Sequence, residues 1–550
     1  MNNQKSDDSL IAHYMAEIRK RLPVVDRTLA LYGDMPLSDY LDVVTETTSE
    51  RYQSADDLAD AVYEYAAPLL GEEIAAMARE ELKQSPVVLT ANHHGVDYFA
   101  QSVQGTLLFS QRKLPNGQRA RTVPVLACGS ISMNNLTYPR GMLAYGLHPE
   151  KKSPVITKIP IFSNQVTGKA VTWVPGYDSD SIKRTEKSVL QMVREKRLSE
   201  QNANVIIEIL HNEYLSPDLL ALNKYSDQAV ILNSRLWSRM FTSISPRPEL
   251  LYLEMEKVCS ILLKKDLMNV QSLLSFILFD SELRKVVLTS LNQVKGCWVK
   301  EELEQRWLDK DCPQKLKSKS CGTFLFWWID KEGRRVPLLP VMMQGRDLLI
   351  GVDDRGKTVE LPLESKSLSA LLDTGQLLPS VFACFLSMTL ARGITCAGGY
   401  YQAEYLGLMR QGLFKALKNV QGYEDLAAIV VQARTDSYLS GMQTIMAESG
   451  GNGVYPLGPL ELIGKNALTP KALLKFNKIS VIEAHRASIV DTLTDAASDI
   501  QVSEEQWLSV ARELGKSESL IKVASLPLRA SCPRREAAYL CCAEAQTKRR

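Results

Sequence analysis

Two of the chain's six histidines stand side by side in Asn92-His93-His94-Gly95-Val96-Asp97. Imidazole is the side chain that most readily takes and gives a proton near neutral pH, so acid–base chemistry is sought here first. Gly95 carries no side chain to keep a ligand off the backbone. Asp97 is near enough in sequence to orient an imidazole, or to cap a helix starting just after it. The free N–H groups and positive dipole end of that helix would suit a phosphate or carboxylate. His93, His94 and Asp97 are therefore the candidate catalytic residues, with Asn92 and Gly95 as candidate substrate contacts. A plainer reading stays open: Asn and Asp at such a turn often only cap, and a buried histidine pair can simply be hydrogen-bonded. Adjacent side chains point in different directions on most backbones, so the two rings would not normally share a metal ion, and no metal site is expected.

A second segment with chemical potential is Gly398-Gly399-Tyr400-Tyr401-Gln402-Ala403-Glu404-Tyr405. Paired glycines before a helix permit close approach of a ligand or its phosphate. The tyrosines offer stacking surface and hydroxyls. Gly398, Gly399, Tyr401, Gln402 and Tyr405 are the candidate substrate contacts, against the alternative of a strand-end turn with aromatic core residues. Asn134, Asn135 and Arg392 could join such a site, although Arg392 reads slightly better as a surface charge. His13, His148, His211 and His485 are isolated and read as structural.

The elements that must position these segments follow from apolar patterning. Residues 87–90 form a short apolar run after the break at Ser85-Pro86, and residues 98–110 are helical in pattern. Strand, polar turn and helix make the entry to a βα unit, and ligands of open α/β sheets bind at such turns. Residues 122–127 read as a second strand and 158–162 as a third, with 181–197 helical and 204–210 a further apolar run. Residues 323–328 and 335–339 flank the turn Asp330-Lys331-Glu332-Gly333, and 348–352 and 358–363 flank Asp353-Asp354-Arg355-Gly356. These are two hairpins. Residues 393–397 read as a strand leading into the glycine pair, and 400–417 as a helix.

The fold class expected is α/β, a Rossmann-like doubly wound core with a helical insertion, a small β-hairpin subdomain and helical termini. The expected divisions are a helical segment at 1–85, the first half of the core at 86–214, a helical insertion at 215–320 and the hairpins at 321–365. The second half of the core follows at 366–465, after a glycine-rich loop at 450–453 comes a helical segment, and 466–550 includes a tail with Cys541 and Cys542.

Composition narrows the function classes. A formal net charge of +2 over 550 residues gives no basic field for nucleic acid. No run of eighteen uncharged apolar residues is present, so no membrane span is expected. The first residues are polar and acidic rather than basic then apolar, so no signal peptide is expected and the cytoplasm is the expected compartment. Ten cysteines without a CxxC pair fit reduced thiols, and the spacing of Cys312, Cys321, Cys384 and Cys396 fits no zinc template.

Residues 322–410 resemble the cysteine-adding enzymes of bacillithiol synthesis, a cysteine ligase family. The resemblance lies in the order of the hairpin with Arg334-Arg335, the second hairpin, the Ser- and Leu-rich segment 365–372, Leu377-Leu378-Pro379, and Gly398-Gly399 followed by Tyr405. Thr90 and Gly95 match that family's first strand-end turn, and Val123-Pro124-Val125 is similar to its next strand. Gly129-Ser130-Ile131-Ser132-Met133 stands where the family has an acidic cluster containing His, and Gln402 stands where it has Glu. The resemblance implies a nucleotide-sized cleft, with the two glycine turns facing one another across it. It implies an enzyme joining an amino acid or other small amine or thiol to a small-molecule acceptor. The cofactor stays open, a nucleotide being the class such a cleft would suit. A homodimer is compatible with this expectation. Two other functions compete. One is an acyltransferase with His93 as base and Asp97 as its partner, although the His–Asp spacing misses the usual pattern by one residue. The other is a non-catalytic small-molecule-binding relative.

Overall fold

The computed structural model describes residues 2–48, 50–147, 154–241, 243–308, 321–448 and 453–524. At its centre is an all-parallel, five-stranded sheet, so the chain is α/β as expected. In chain order its strands are β1 (Val87–Leu89), β2 (Thr122–Ala127), β3 (Glu249–Glu254), β4 (Thr395–Gly399) and β5 (Tyr438–Ser440). They lie side by side in the order β5-β4-β1-β2-β3.

The apolar runs of these strands are continuous because both faces of the sheet are covered. Alternate residues divide between two cores. Val87, Leu89, Val123, Val125, Leu250 and Tyr252 enter the first, while Val88, Leu126, Leu251, Leu253 and Cys396 enter the second. The helix Ala100–Phe109, between β1 and β2, packs into the first core. The helix Tyr400–Lys418, between β4 and β5, buries Leu406, Met409, Leu413, Ala416 and Leu417 in the second. The chain therefore leaves neighbouring β1 and β4 toward opposite faces.

Several expectations need correction. The segment 215–320 is not a purely helical insertion, because it contains β3, a full member of the sheet paired with β2 over six residue pairs. Leu250-Leu251-Tyr252-Leu253 is an unbroken apolar run, and a strand buried on both faces has no period to separate it from a buried helix. Around β3 lie the helices Tyr225–Met240, Met255–Met268, Leu273–Phe279 and Ser281–Ser290, so the segment is largely helical as expected. The apolar run at 204–210 belongs to the helix Glu200–Ile209, which Ser199 caps at Asn202 N. The third strand, foreseen at 158–162, runs over Pro154–Pro160, pairs antiparallel with Gly141–Leu147 and stays outside the main sheet.

The two hairpins form, but in different sheets. Phe326–Ile329 pairs with Arg335–Pro337 and, on its other edge, with Leu377–Pro379. Arg346–Val352 pairs with Thr358–Pro362 and Leu339–Met343. The later segment is not helical alone: Ile445–Glu448, Val454–Pro456 and Ile521–Ala524 make a further sheet. Gly450, Gly451, Asn452, His148, Cys312 and the tail with Cys541 and Cys542 lie outside the described residues.

Arg392 is a buried anchor rather than a surface charge. Its guanidinium meets Asp266 at 2.6 Å and Asp57 at 3.0 Å with no exposure to solvent. It ties the segment before β4 to the helix Met255–Met268. Among the described residues, no helix is long and apolar enough to cross a membrane.

Candidate functional site

The loop after β1 and the turn after β4 are immediate neighbours, because β1 and β4 pair directly. Past the end of β1 the ladder continues on both sides. Thr90 N donates to Ala397 O, Cys128 N to Asn92 O, and His94 N to Cys128 O. The histidine loop is thus held as an extension of the sheet, beside the residues that follow β2. The expected facing arrangement is instead a side-by-side one at the C-terminal edge.

His93 and His94 point to different surroundings. The His94 ring is fully buried and lies 6.2 Å from the Tyr252 ring in a stacked arrangement. Its Nε2 is 3.1 Å from both the carbonyl and the hydroxyl of Ser226, and that hydroxyl donates to Glu254. Burial lowers the pKa of His94, so the ring is held neutral inside the fold. His93 is only half-buried and lies near Asn135 and Asp495. Burial lowers its pKa more than these neighbours raise it, and its Nδ1 has no hydrogen-bond partner. Each ring keeps a buried Nδ1 without a hydrogen-bond partner, and His93, the less buried of the two and placed at the strand ends, is the better candidate base.

Asp97 orients neither ring. It accepts from Phe99 N at 3.0 Å, from Asn92 Nδ2 and Tyr252 Oη at 3.3 Å, and from the Ser102 hydroxyl. Burial pushes its carboxyl up to about 6 against these bonds. Asn92 also donates to Thr106 Oγ1 at 3.0 Å. The Asn92–Asp97 pair closes the loop onto the following helix, next to a cavity of about 20 Å³ that Asp97, Asn233, Trp237 and Tyr252 help to line. Asn92 and Asp97 are therefore structural here, and the geometry offers no His93–Asp97 pair.

The backbone N–H groups that lead into that helix are taken up by protein partners. Val96 N donates to Tyr225 Oη, Asp97 N to Asn233 Oδ1, and Ala100 N to Tyr145 Oη. Gly95 is required by its backbone, with φ +119°, and by contact with Pro139, where an added Cβ would lie 2.8 Å away. It faces protein rather than a ligand.

The second turn divides in the same way. Gln402 is buried and donates to Thr90 Oγ1 at 2.8 Å and to Cys396 O at 3.1 Å. It locks β4 to β1 beneath Gly398, where a Cβ would lie 2.3 Å from its side chain. Gly398 and Gln402 are thus packing residues rather than pocket residues. Gly399 is different: a Cβ there would meet only Ser440 O, at 3.8 Å. Gly399 also starts the helix Tyr400–Lys418 with no side-chain cap. Tyr400 donates to Asp495, the neighbour of His93. Tyr401 is half-buried with Lys295 Nζ 3.7 Å from its ring centre. Tyr405 packs against Phe385 and lies near Cys128, and burial raises its hydroxyl pKa.

The fold adds residues that sequence reasoning missed. Glu256, just after β3, accepts from Gly129 N and Ser130 N at 2.7 Å and sits 3.3 Å from Cys128 Sγ. Burial, and then Glu254, raise its pKa. Burial pushes the Cys128 thiol far up, so it is not a ready nucleophile. Arg335 reaches the same place from the hairpin, lying near Cys128 and Glu256 with its guanidinium 4.8 Å from the Trp327 ring centre. Lys295 and Asp495 are single charges in segments far apart in sequence, so no local motif signals them, while Arg335 stands in the sequence only as half of the hairpin pair Arg334-Arg335. Glu254 and Glu256 were hidden by the reading of 215–320 as a helical insertion.

Among the described residues, no group of three or more His, Cys, Asp or Glu side chains is placed to hold a metal ion. A recess of about 500 Å³ lies elsewhere, lined by residues including Thr48, Arg410, Arg434 and Asp436. It belongs to the opposite edge of the sheet, near Thr395 at the start of β4, whose hydroxyl bonds Glu46 O. No protein-family model, curated protein or solved structure matches the chain.

Proposed function

We propose that the chain is an enzyme acting on small molecules at the C-terminal edge of β1 and β4, with His93 as its proton-moving group. One observation carries this reading. The turns after β1 and β4 lie side by side where the chain departs to opposite faces of the sheet. The strand order β5-β4-β1-β2-β3 supports reading the sheet as a Rossmann-like doubly wound core, whose ligands bind at such a switch point. There His93 brings an uncommitted Nδ1, and Gly399 leaves its backbone open.

The reaction class follows the resemblance to the cysteine-adding ligases: an amine or thiol joined to a small acceptor. Neutral His93 would take the proton that the amine or thiol releases as it attacks a phosphate-activated carboxyl carbon of the acceptor, the C–O bond to that phosphate breaking and the phosphate leaving with its electron pair. Asp495, which Tyr400 holds in place, would position a cationic or hydroxyl group of the substrate beside it. The open, uncapped helix start at Gly399 fits a nucleotide phosphate, the cofactor class such a cleft would take. The acyltransferase alternative loses its support, since Asp97 is bonded to Asn92, Ser102, Phe99 and Tyr252.

The test is thermal stabilisation of the purified chain by a panel of nucleotides, amino acids, thiols and acyl-CoA. Stabilisation by a nucleotide or amino acid that disappears in His93→Gln is the expected result. Stabilisation by acyl-CoA alone, or stabilisation unchanged in His93→Gln, would refute the reading.

A further inference from the structure

The recess at the start of β4 plays no part in the reaction proposed above, yet it has the volume of a small-molecule site, about 500 Å³. Three separate stretches of chain line it. One supplies Glu46, Thr47 and Thr48, a second Gln432, Ala433, Arg434 and Asp436, and the helix Tyr400–Lys418 supplies Arg410. Only Ala433 among them lacks a polar side-chain group, so an apolar ligand would gain little here.

The two arginines differ in what they have left to offer. Arg434 is taken up by protein. It donates to Val43 O at 2.6 Å and to Glu46 O and Oε2 at 3.1 Å, and it lies 3.7 Å from Asp436 Oδ1. Thr395 Oγ1 also donates to Glu46 O, at 2.9 Å. These bonds hold the stretch that carries Thr47 and Thr48 in place before any ligand arrives. Arg410 is half-buried. Among the described residues its guanidinium donates once, to Ala433 O at 2.7 Å, and pairs with no carboxylate. A guanidinium carries five N–H donors in a planar fork, so most of those of Arg410 are left for a ligand in the recess.

The lining also selects the ligand's charge and polarity. Its ionised groups are two of each sign, so there is no net pull on a polyanion, and Glu46 and Asp436 would repel a phosphate dianion. One free guanidinium fork matches one carboxylate. The Thr47 and Thr48 hydroxyls and the Gln432 amide can donate or accept, and the two carboxylates accept, which suits ligand hydroxyl groups. We propose that the recess binds a small hydroxylated monocarboxylate, a hydroxy acid or sugar acid. Its carboxylate rests on Arg410 and its hydroxyls bond Thr47, Thr48, Gln432 and the carboxylates of Glu46 and Asp436. This site lies at the opposite end of β4 from Gly399 and is independent of His93.

The test is titration calorimetry of the full chain with gluconate, which should bind. Glucose, which lacks the carboxylate, and acetate, which lacks the hydroxyls, should each bind about tenfold more weakly or less. Arg410→Gln should weaken gluconate about tenfold, the loss of a charge-assisted contact. Thr47→Val removes one exposed hydroxyl and should weaken it about threefold with an unchanged melting temperature. That variant keeps the test decisive if Arg410→Gln does not fold, which thermal melts check. His93→Gln should leave gluconate affinity as in the parent chain. The proposal is overturned by no binding of gluconate, or by glucose or acetate binding as tightly. Affinity undiminished in folded Arg410→Gln or in Thr47→Val, or lost in His93→Gln, overturns it as well. Failure of the His93 site leaves this outcome untouched, because gluconate binding does not depend on that residue.

Discussion

At the residue scale, two adjacent histidines have opposite fates. His94 is enclosed by Ser226 and Tyr252, while His93 stands at the strand ends beside Asn135 and Asp495. Substitution should separate them. His94→Ala leaves a cavity and strips Ser226 of a partner, so the unfolding free energy should fall by about 2–4 kcal/mol. His93→Gln should leave the melting temperature within a few degrees of the parent and remove ligand response. Denaturant melts of the two variants measure both. A third histidine gives a pH signature. His485 is buried between Tyr438 Oη and Val481 O, and burial lowers its pKa to about 4. The unfolded ring takes a proton near 6.5, so the stability it lends is complete above that value and is lost as pH falls toward 4. The stability gap between the parent chain and His485→Gln should therefore narrow by up to about 3 kcal/mol from pH 7 to pH 4, measured by urea unfolding. A gap that stays constant would contradict a neutral, buried His485.

At the scale of elements, the sequence discloses segments better than their roles. The strand, polar turn and helix at 87–110 and the strand, glycine pair and helix at 395–418 are both legible from apolar runs and punctuation. What could not be read is that β1 and β4 pair directly, because that contact joins residues about 300 positions apart. The direct pairing makes Gln402 a clamp on Thr90, and gives Gly398 and Gly399 different tasks. Gly398→Ala should press on the Gln402 amide and lower stability by about 1–3 kcal/mol. Gly399→Ala has room for its Cβ and should keep stability while weakening any ligand that approaches the turn. Thermal melts with and without ligand distinguish the two. β3 was lost to a helical reading for a related reason, since a strand covered on both faces carries no alternation.

At the scale of the whole molecule, two cores cover the two faces of one parallel sheet, and charges from distant segments fasten the pieces. Arg392 is the clearest fastener, reaching Asp266 and Asp57 from the segment before β4. Arg392→Met would leave two carboxylates without their counter-charge and should cost about 3–5 kcal/mol, seen as a lowered denaturation midpoint. The sequence marks Arg392 only as a charge among apolar residues, and nothing local tells a buried anchor from a surface arginine. Lys295 and Asp495 were unreadable for the same reason. Each comes beside the candidate site only through the fold, Lys295 resting on Tyr401 and Asp495 accepting from Tyr400. The most direct test of that location is amide hydrogen exchange, with and without the ligand that stabilises the chain most. A site at the switch point predicts slowed exchange at 90–96, 128–135 and 398–402. Protection confined to 43–48 and 432–436 would place the ligand in the recess at the opposite edge and contradict it.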